Sequence, residues 1–296
     1  MYKNTVLMLN MCNFFYFLAK NKLRMILNSA SFFFGFEREL TMKNLFYITI
    51  FSMTLISFSN DVYSDDHSVG PAAVEMLACS FNDGKSANDL NKVVKDWNKW
   101  ADRKDLNYSA WSMTPFAVSQ GMLSFDYIWF GFSPNFETYG NTMENWVQDG
   151  EQTVGQKFND VASCSPRSLF AVIPARQVDW DQDTTKNNPF QLSNCKFRDG
   201  QSMADLMKAA GEFNEYIETI GADPFIAIMI PDAGNELDAD WDVKVGAGWS
   251  NYKEMGKARQ AGYQQGNTAL QDTWGKVLDC DSPRVYTANQ LRNGDE

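Results

Sequence analysis

Apolar residues recur along the chain at helix spacing and at strand spacing, in an order that predicts strand, helix, strand, strand, helix, strand. The first predicted helix presents one apolar face, made by Leu90, Val93, Val94, Trp97 and Ala101. Short apolar and aromatic runs predict the four strands at 73–81, 107–116, 125–132 and 168–173, and Asn135 is expected to open the second helix. The pattern therefore favours an α+β domain.

The same order of elements occurs a second time. Residues 79–90, CSFNDGKSANDL, return as residues 195–206, CKFRDGQSMADL, at an offset of 116 residues (195 − 79). A long internal match of this kind indicates a duplicated domain. We predict a first repeat at 72–178, a linker at 179–190 and a second repeat at 191–292.

The residues before the repeats have the features of an export signal. Residues 42–64 carry Lys43, then an apolar run from Leu45 to Phe58, then Val62 and Ser64 at the positions that precede a cleavage site. The run is short for a membrane span, although a membrane anchor or a buried helix is the alternative. We expect a secreted or periplasmic protein with no stable membrane span after cleavage, and we interpret residues 1–41 as a non-native or disordered extension.

Cysteine usage agrees with export. The duplication pairs Cys79 with Cys164 and Cys195 with Cys280, which gives one disulfide in each repeat. A metal site is the rival interpretation, but no two cysteines have the spacing C-x-x-C and His67 is the one histidine in the chain. We therefore predict disulfides and no metal.

Charge and motifs exclude several functions. The net charge is −11, and the excess of acids falls after residue 65, so nucleic acid and anionic membrane surfaces are unfavourable partners. No phosphate-binding loop, dinucleotide fingerprint or Ser-His-Asp set occurs, and no cofactor is predicted. Asp-rich stretches at 179–183 and 238–242 lack the Gly and Glu that complete a calcium loop.

Each repeat has the element order of the ferredoxin-like fold, whose strand order is 4-1-3-2. In that order the end of strand one, at Cys79, lies beside the start of strand four, at Cys164. The chain thus resembles the dimeric α+β barrel superfamily, which includes antibiotic-biosynthesis-monooxygenase-like and stress-responsive barrel proteins. The resemblance implies an intramolecular pseudo-dimer, monomeric in the simplest case, with two sheets packed together and a pocket between each sheet and its helices.

Two functional hypotheses follow, and the first is binding of a small apolar or aromatic molecule. It relies on Trp111, Tyr127 and Trp129 as aromatic pocket walls, and on the repeated polar residues Asn98 and Asn214 beside the apolar face of a helix. For each of these residues the alternative is an ordinary place in the core or in a local hydrogen bond.

The second hypothesis is a cofactor-free monooxygenase- or isomerase-like enzyme. Asp126 and Asp242 are its candidate bases, because a carboxylate between apolar neighbours has a raised pKa if it is buried. A turn contact at the end of a strand is the alternative role for both. No catalytic motif of the superfamily is matched, and the absence of histidine from the repeats excludes haem ligation or acid/base chemistry by that residue. A structural, envelope-associated interaction module is the third possibility.

Overall fold

The computed structural model describes residues 71–119, 124–178, 187–235, 238–265 and 268–294. The predicted extension at 1–41, the predicted signal peptide at 42–64 and most of the predicted linker lie outside the described residues. The name first half is used below for residues 71–178, and second half for residues 187–294.

Both halves contain strands and helices in the predicted alternation. The first half consists of β1 (Ala72–Phe81), α1 (Ala87–Arg103), β2 (Ser109–Ala117), β3 (Tyr127–Ser133), α2 (Phe136–Asn145), a π-helical segment (Trp146–Gly155), α3 (Gln156–Asn159), β4 (Ala162–Cys164) and β5 (Ser168–Arg176). The second half consists of β6 (Asn187–Phe197), α4 (Met203–Thr219), β7 (Phe225–Ala233), β8 (Val243–Gly248), α5 (Tyr252–Gln264), α6 (Thr268–Asp272), α7 (Trp274–Val277), β9 (Leu278–Cys280) and β10 (Arg284–Arg292). Among the described helices, none has both the length and the apolar character that crossing a bilayer requires.

Eight antiparallel strands close into a barrel. The order is β2-β3-β1-β5 in the first half and β7-β8-β6-β10 in the second, which is the predicted 4-1-3-2 order in each. Pairing of β5 with β7 and of β10 with β2 joins the two sheets along their edges. Backbone hydrogen bonds therefore unite the two sheets in one closed sheet, which agrees with the barrel that the resemblance implies.

Closure gives the strands two faces with different partners. Successive side chains of a strand point to opposite faces, so Val74 and Met76 belong to the core inside the barrel while Leu77 and Cys79 pack under the helices. Three cores result: one inside the barrel and one beneath the helices of each half. β3, for example, has buried side chains on both of its faces.

The two disulfides have the predicted pairing. Cys79 bonds to Cys164 and Cys195 to Cys280, each across 85 residues. One detail differs, because Cys164 does not begin strand four. It lies in β4, a separate three-residue strand that extends the pairing along β1, and β9 holds Cys280 against β6 in the same way.

Helix starts follow the sequence signals, with local differences. Asn135 accepts a hydrogen bond from the backbone N–H of Thr138 at 2.8 Å and caps α2, as predicted. Ser86 occupies the cap position of α1, but its hydroxyl donates to Asp89 instead of accepting from the backbone.

The second half begins earlier than predicted, since β6 starts at Asn187 inside the expected linker 179–190.

Candidate functional site

A cavity of about 320 Å³ lies in the first half between the outer face of the sheet and the helices, and is called the first pocket. Its walls are mostly aromatic and comprise Trp97, Trp100, Tyr127, Trp129, Trp146 and Phe158. The ring centroid of Trp129 lies 5.2 Å from that of Trp97 and 5.5 Å from that of Phe158, and both pairs pack edge to face. Such contacts hold large side chains in fixed positions, which preforms the pocket.

A buried polar cluster forms one side of the first pocket. Glu75 of β1 is 3% exposed and accepts hydrogen bonds from the hydroxyls of Tyr108, at 2.5 Å, and Tyr139, at 3.1 Å. The guanidinium of Arg167 forms an ion pair with the same carboxylate. Trp129 donates its indole N–H to the Tyr108 hydroxyl at 2.9 Å. These five residues are called the Glu75 cluster.

A glycine makes the cluster possible. Strand alternation places Glu75 on the helix-facing side of β1, and Gly131 of β3 is its direct neighbour in the sheet. A Cβ atom on Gly131 would lie 1.7 Å from the Tyr108 hydroxyl oxygen. Tyr108 can therefore cross β3 to reach Glu75 only because residue 131 has no side chain.

The environment fixes the charge states in the cluster. Burial, reinforced by the negative charge of Glu75, raises the pKa of Tyr108 well above its ordinary value and raises the pKa of Tyr139 as well. Burial is the largest influence on Arg167 and acts to lower its pKa, but Glu75, Tyr139 and Tyr108 together offset burial, and the pKa is raised. The cluster thus holds two neutral phenol donors beside a charged guanidinium.

Two of the aromatic residues predicted from the sequence lie in the first pocket, and the third does not. Tyr127 and Trp129 share the helix-facing side of β3, and burial raises the pKa of Tyr127 to about 12. Trp111 points inside the barrel, where it lines a separate cavity of about 280 Å³ with Phe130 and Phe190. The sequence pattern could not separate them, because Trp111 is on a different strand whose register was unknown.

The repeated asparagines connect helices to strands of the opposite half. The side-chain amide of Asn98 donates to the carbonyl of Leu291 at 3.0 Å, and that of Asn214 donates to the carbonyl of Ala175 at 2.7 Å. Neither residue lines the first pocket, and the buried Oδ1 atom of each has no hydrogen-bond partner among the described residues. Their position indicates an architectural contact, whereas the predicted ligand contact stays a prediction.

The second hypothesis requires Asp126 or Asp242 to be buried. Both aspartates are instead exposed, and each lies at the end of a strand. Asp126 accepts a hydrogen bond from the backbone N–H of Phe81 at 2.7 Å, and Asp242 accepts one from Phe197 at 2.7 Å. Neither carboxylate has the buried surroundings that the second hypothesis requires. The turn contact considered as the alternative is the observed one.

Sequence reasoning missed the buried carboxylate that the first pocket contains. Glu75 is the one charged residue in the strand sequence AAVEMLACSF, and that was the available signal. Its partner Arg167 follows α3 and β4, so only the sheet topology brings the two together. Within the residues that the structure describes, no group of three or more His, Cys, Asp or Glu side chains could hold a metal ion.

The second half contains a cavity of about 300 Å³ at the equivalent place, called the second pocket. Gln191 and Pro283 occupy the positions equivalent to Glu75 and Arg167. The second pocket therefore lacks the ion pair of the Glu75 cluster.

No protein-family model matches the sequence, and no curated protein matches it significantly. Solved structures with a similar chain course include the chlorite dismutase of Candidatus Nitrospira defluvii, at 6% identity and TM-score 0.46, covering 75% of this chain and 92% of that one. An anthrone oxidase-like protein has 10% identity and TM-score 0.46, covering 77% and 94%. A heme-binding protein from Thermus thermophilus has 11% identity and TM-score 0.42, covering 74% and 91%. At such low identities and TM-scores, the similarity does not indicate a ligand or an activity for this protein.

Proposed function

We propose that the first pocket binds a small, partly apolar molecule. The observation that carries the proposal is an aromatic cavity of about 320 Å³ with the buried Glu75 cluster on one side. Cavities of this size, with apolar walls and a few fixed polar groups, are typical of small-molecule sites. Apolar walls favour the body of a ligand, and the polar groups orient it.

Arg167 is the group that meets the polar part of the ligand. Its Nε atom is held by Glu75, while its side chain remains 38% exposed and carries two terminal amino groups. A guanidinium fixed by a buried carboxylate is preorganised, so little conformational entropy is lost when it binds an acceptor. Trp129 and Trp97 supply flat apolar surfaces nearby.

The hydrogen bonds of Glu75 favour binding over cofactor-free catalysis. Both carboxylate oxygens accept hydrogen bonds or an ion pair, from Tyr108 on one side and from Tyr139 and Arg167 on the other. Charge-assisted contacts to three donors occupy both oxygens of this carboxylate. Its role in this proposal is to position Arg167 and the two tyrosines.

We also propose that the protein works outside the cytoplasm. Two disulfides and the predicted signal peptide at 42–64 support this location, since stable disulfides are rare in reducing compartments.

We infer further that the barrel is a pseudo-dimer that arose by duplication. The offset of 116 residues (195 − 79) relates the two disulfides. The same offset relates two hydrogen bonds between the halves: Asn98 donates to the carbonyl of Leu291, and Asn214 donates to the carbonyl of Ala175. Each asparagine reaches the last long strand of the opposite half. Equivalent contacts that cross between halves are expected when a symmetric dimer is joined into one chain.

Native mass spectrometry of the full chain, purified from its native host, tests the binding proposal. We expect an additional mass that is released on denaturation. Met143→Trp should fill the first pocket and abolish this mass, whereas Ala258→Trp, which places the same bulk in the second pocket, should retain it. Circular dichroism and melting temperature would establish that both variants fold. Wild-type protein without a bound mass, or equal loss in both variants, would contradict the proposal.

A further inference from the structure

The second pocket contains a cation, Arg259, and no acidic side chain among the described residues that line it. Asn251 accepts a hydrogen bond from the backbone N–H of Glu254 at 2.9 Å and opens α5, which carries Arg259 into the wall of the cavity. Arg259 donates from Nη2 to the side-chain oxygen of Gln191 at 2.9 Å. Gln191 is neutral, and none of the described residues that line the second pocket is an aspartate or a glutamate.

Several donors of the second pocket are also unsatisfied. The buried Nε of Arg259 has no hydrogen-bond partner among the described residues, and the same is true of the indole N–H groups of Trp249 and Trp274. All three side chains line the cavity, and the two tryptophans are 7% and 6% exposed. Buried donors without acceptors destabilise a fold. An acceptor supplied by a ligand would remove that cost.

We propose that the second pocket binds a small aromatic carboxylate, with its anionic group on Arg259. A carboxylate is the acceptor that matches a guanidinium in charge and geometry. Phe213, Tyr216 and Trp274 line the same cavity and provide apolar surface for an aromatic ring. This site is separate from the first pocket, and the proposal does not depend on the function proposed above.

Isothermal titration calorimetry of the full chain with two matched probes tests this proposal. The probes are 3-phenylpropionate and 3-phenylpropionamide, which have nearly the same shape and differ in charge. We expect the carboxylate to bind at least about tenfold more tightly, because a hydrogen bond to a charged group is worth more than one to a neutral group. Equal affinity, or no binding of either probe, would overturn the proposal.

Three variants assign the preference to the second pocket. Arg259→Met replaces the arginine by methionine, the residue at the equivalent position of the first half, Met143. This variant should bind 3-phenylpropionate no more tightly than 3-phenylpropionamide. Gln191→Glu introduces the carboxylate of Glu75 beside Arg259 and should abolish the preference while the cation remains. Lys257→Met removes the same charge from the exposed side of α5 and should leave the preference unchanged. A preference that survives both pocket variants would refute the assignment, and each variant tests it if the other fails to fold.

Discussion

The two pockets between the sheet and the helices have equivalent positions but different chemistry. At the offset of 116 residues (195 − 79), the residues of the Glu75 cluster have no counterpart with the same chemistry: the pairs are Glu75 and Gln191, Tyr108 and Pro224, Trp129 and Val245, Tyr139 and Met255, Arg167 and Pro283. The first pocket therefore contains a carboxylate paired with its guanidinium. The second has Arg259 beside a neutral amide.

This comparison shows that shared residues and unshared residues have different roles. Asn98 and Asn214, and likewise Asp126 and Asp242, make the same contact in both halves and support the common framework. The groups that give each pocket its charge are the ones that differ. Gly131 is another position that differs between the halves. In the first half it leaves room for the Tyr108 side chain. In the second half the equivalent residues are Ala247 and Pro224, and the shorter proline does not require that room.

The largest difference between the halves should appear when each pocket loses its arginine. Arg167→Met leaves the carboxylate of Glu75 buried without a cation, which we expect to cost about 3 kcal/mol of unfolding free energy. This value is at the lower end of the range for buried pairs, because Arg167 is 38% exposed. Arg259→Met leaves no buried charge and should change stability by less than about 1 kcal/mol.

Urea unfolding of the two arginine variants without reductant measures this difference. The disulfides stay intact under that condition, so both halves keep their bridge. Equal destabilisation by the two substitutions would show that Arg167 does not compensate a buried charge.

Gly131→Ala tests the close approach of Tyr108 with a smaller expected effect. The added methyl group displaces the tyrosine hydroxyl from Glu75, and overpacking of this kind typically costs about 2 kcal/mol. The matched change Ala247→Gly in the second half should cost about 0.5 to 1 kcal/mol, the general cost of glycine in a strand. The urea midpoints of Gly131→Ala and Ala247→Gly measure this difference in stability. If Gly131→Ala is no less stable than Ala247→Gly, the packing described for Tyr108 is contradicted.

The smallest effect concerns alkaline pH. The pKa values of Tyr108 and Tyr139 are raised in the folded protein, so their contribution to stability is complete below the ordinary tyrosine pKa of about 10. It is lost as the pH rises through the raised values. The unfolding free energy should therefore fall with increasing pH above about 10.

Tyr139→Phe isolates the contribution of one tyrosine. The decline in the urea midpoint above a pH of about 10 should be shallower in this variant than in the wild type, because one shifted phenol is gone. Tyr263→Phe is the control, since Tyr263 is 69% exposed. Identical pH profiles for wild type and Tyr139→Phe would contradict the assigned burial of that hydroxyl.

Much of the framework could be predicted from sequence. The order of elements follows from periodicity, and the two cysteine pairs follow from the recurring sequence pattern. The strand order within each half follows from the resemblance to the ferredoxin-like fold. Tyr127 and Trp129 lie in the same pocket because residues i and i+2 of a strand share a face. The resemblance implied a barrel, but the pairing of β5 with β7 and of β10 with β2 could not be predicted, since it depends on contacts between the halves.

The polar part of the candidate site could not be found in the same way. A search for repeated polar residues selects what the two halves share, and it led to Asn98, Asn214, Asp126 and Asp242. Glu75 and Arg167 come from distant segments, and no local spacing connects them. A comparison of the two halves at equivalent positions that differ, such as Glu75 and Gln191, is the sequence signal that points to Glu75.

A crystal structure of the protein purified from its native host tests the central claim most directly. We expect connected electron density for a small molecule in the first pocket, with a polar group at Arg167 and an apolar part against Trp129 and Trp97. A first pocket that holds only solvent or its own side chains would contradict the proposed binding function.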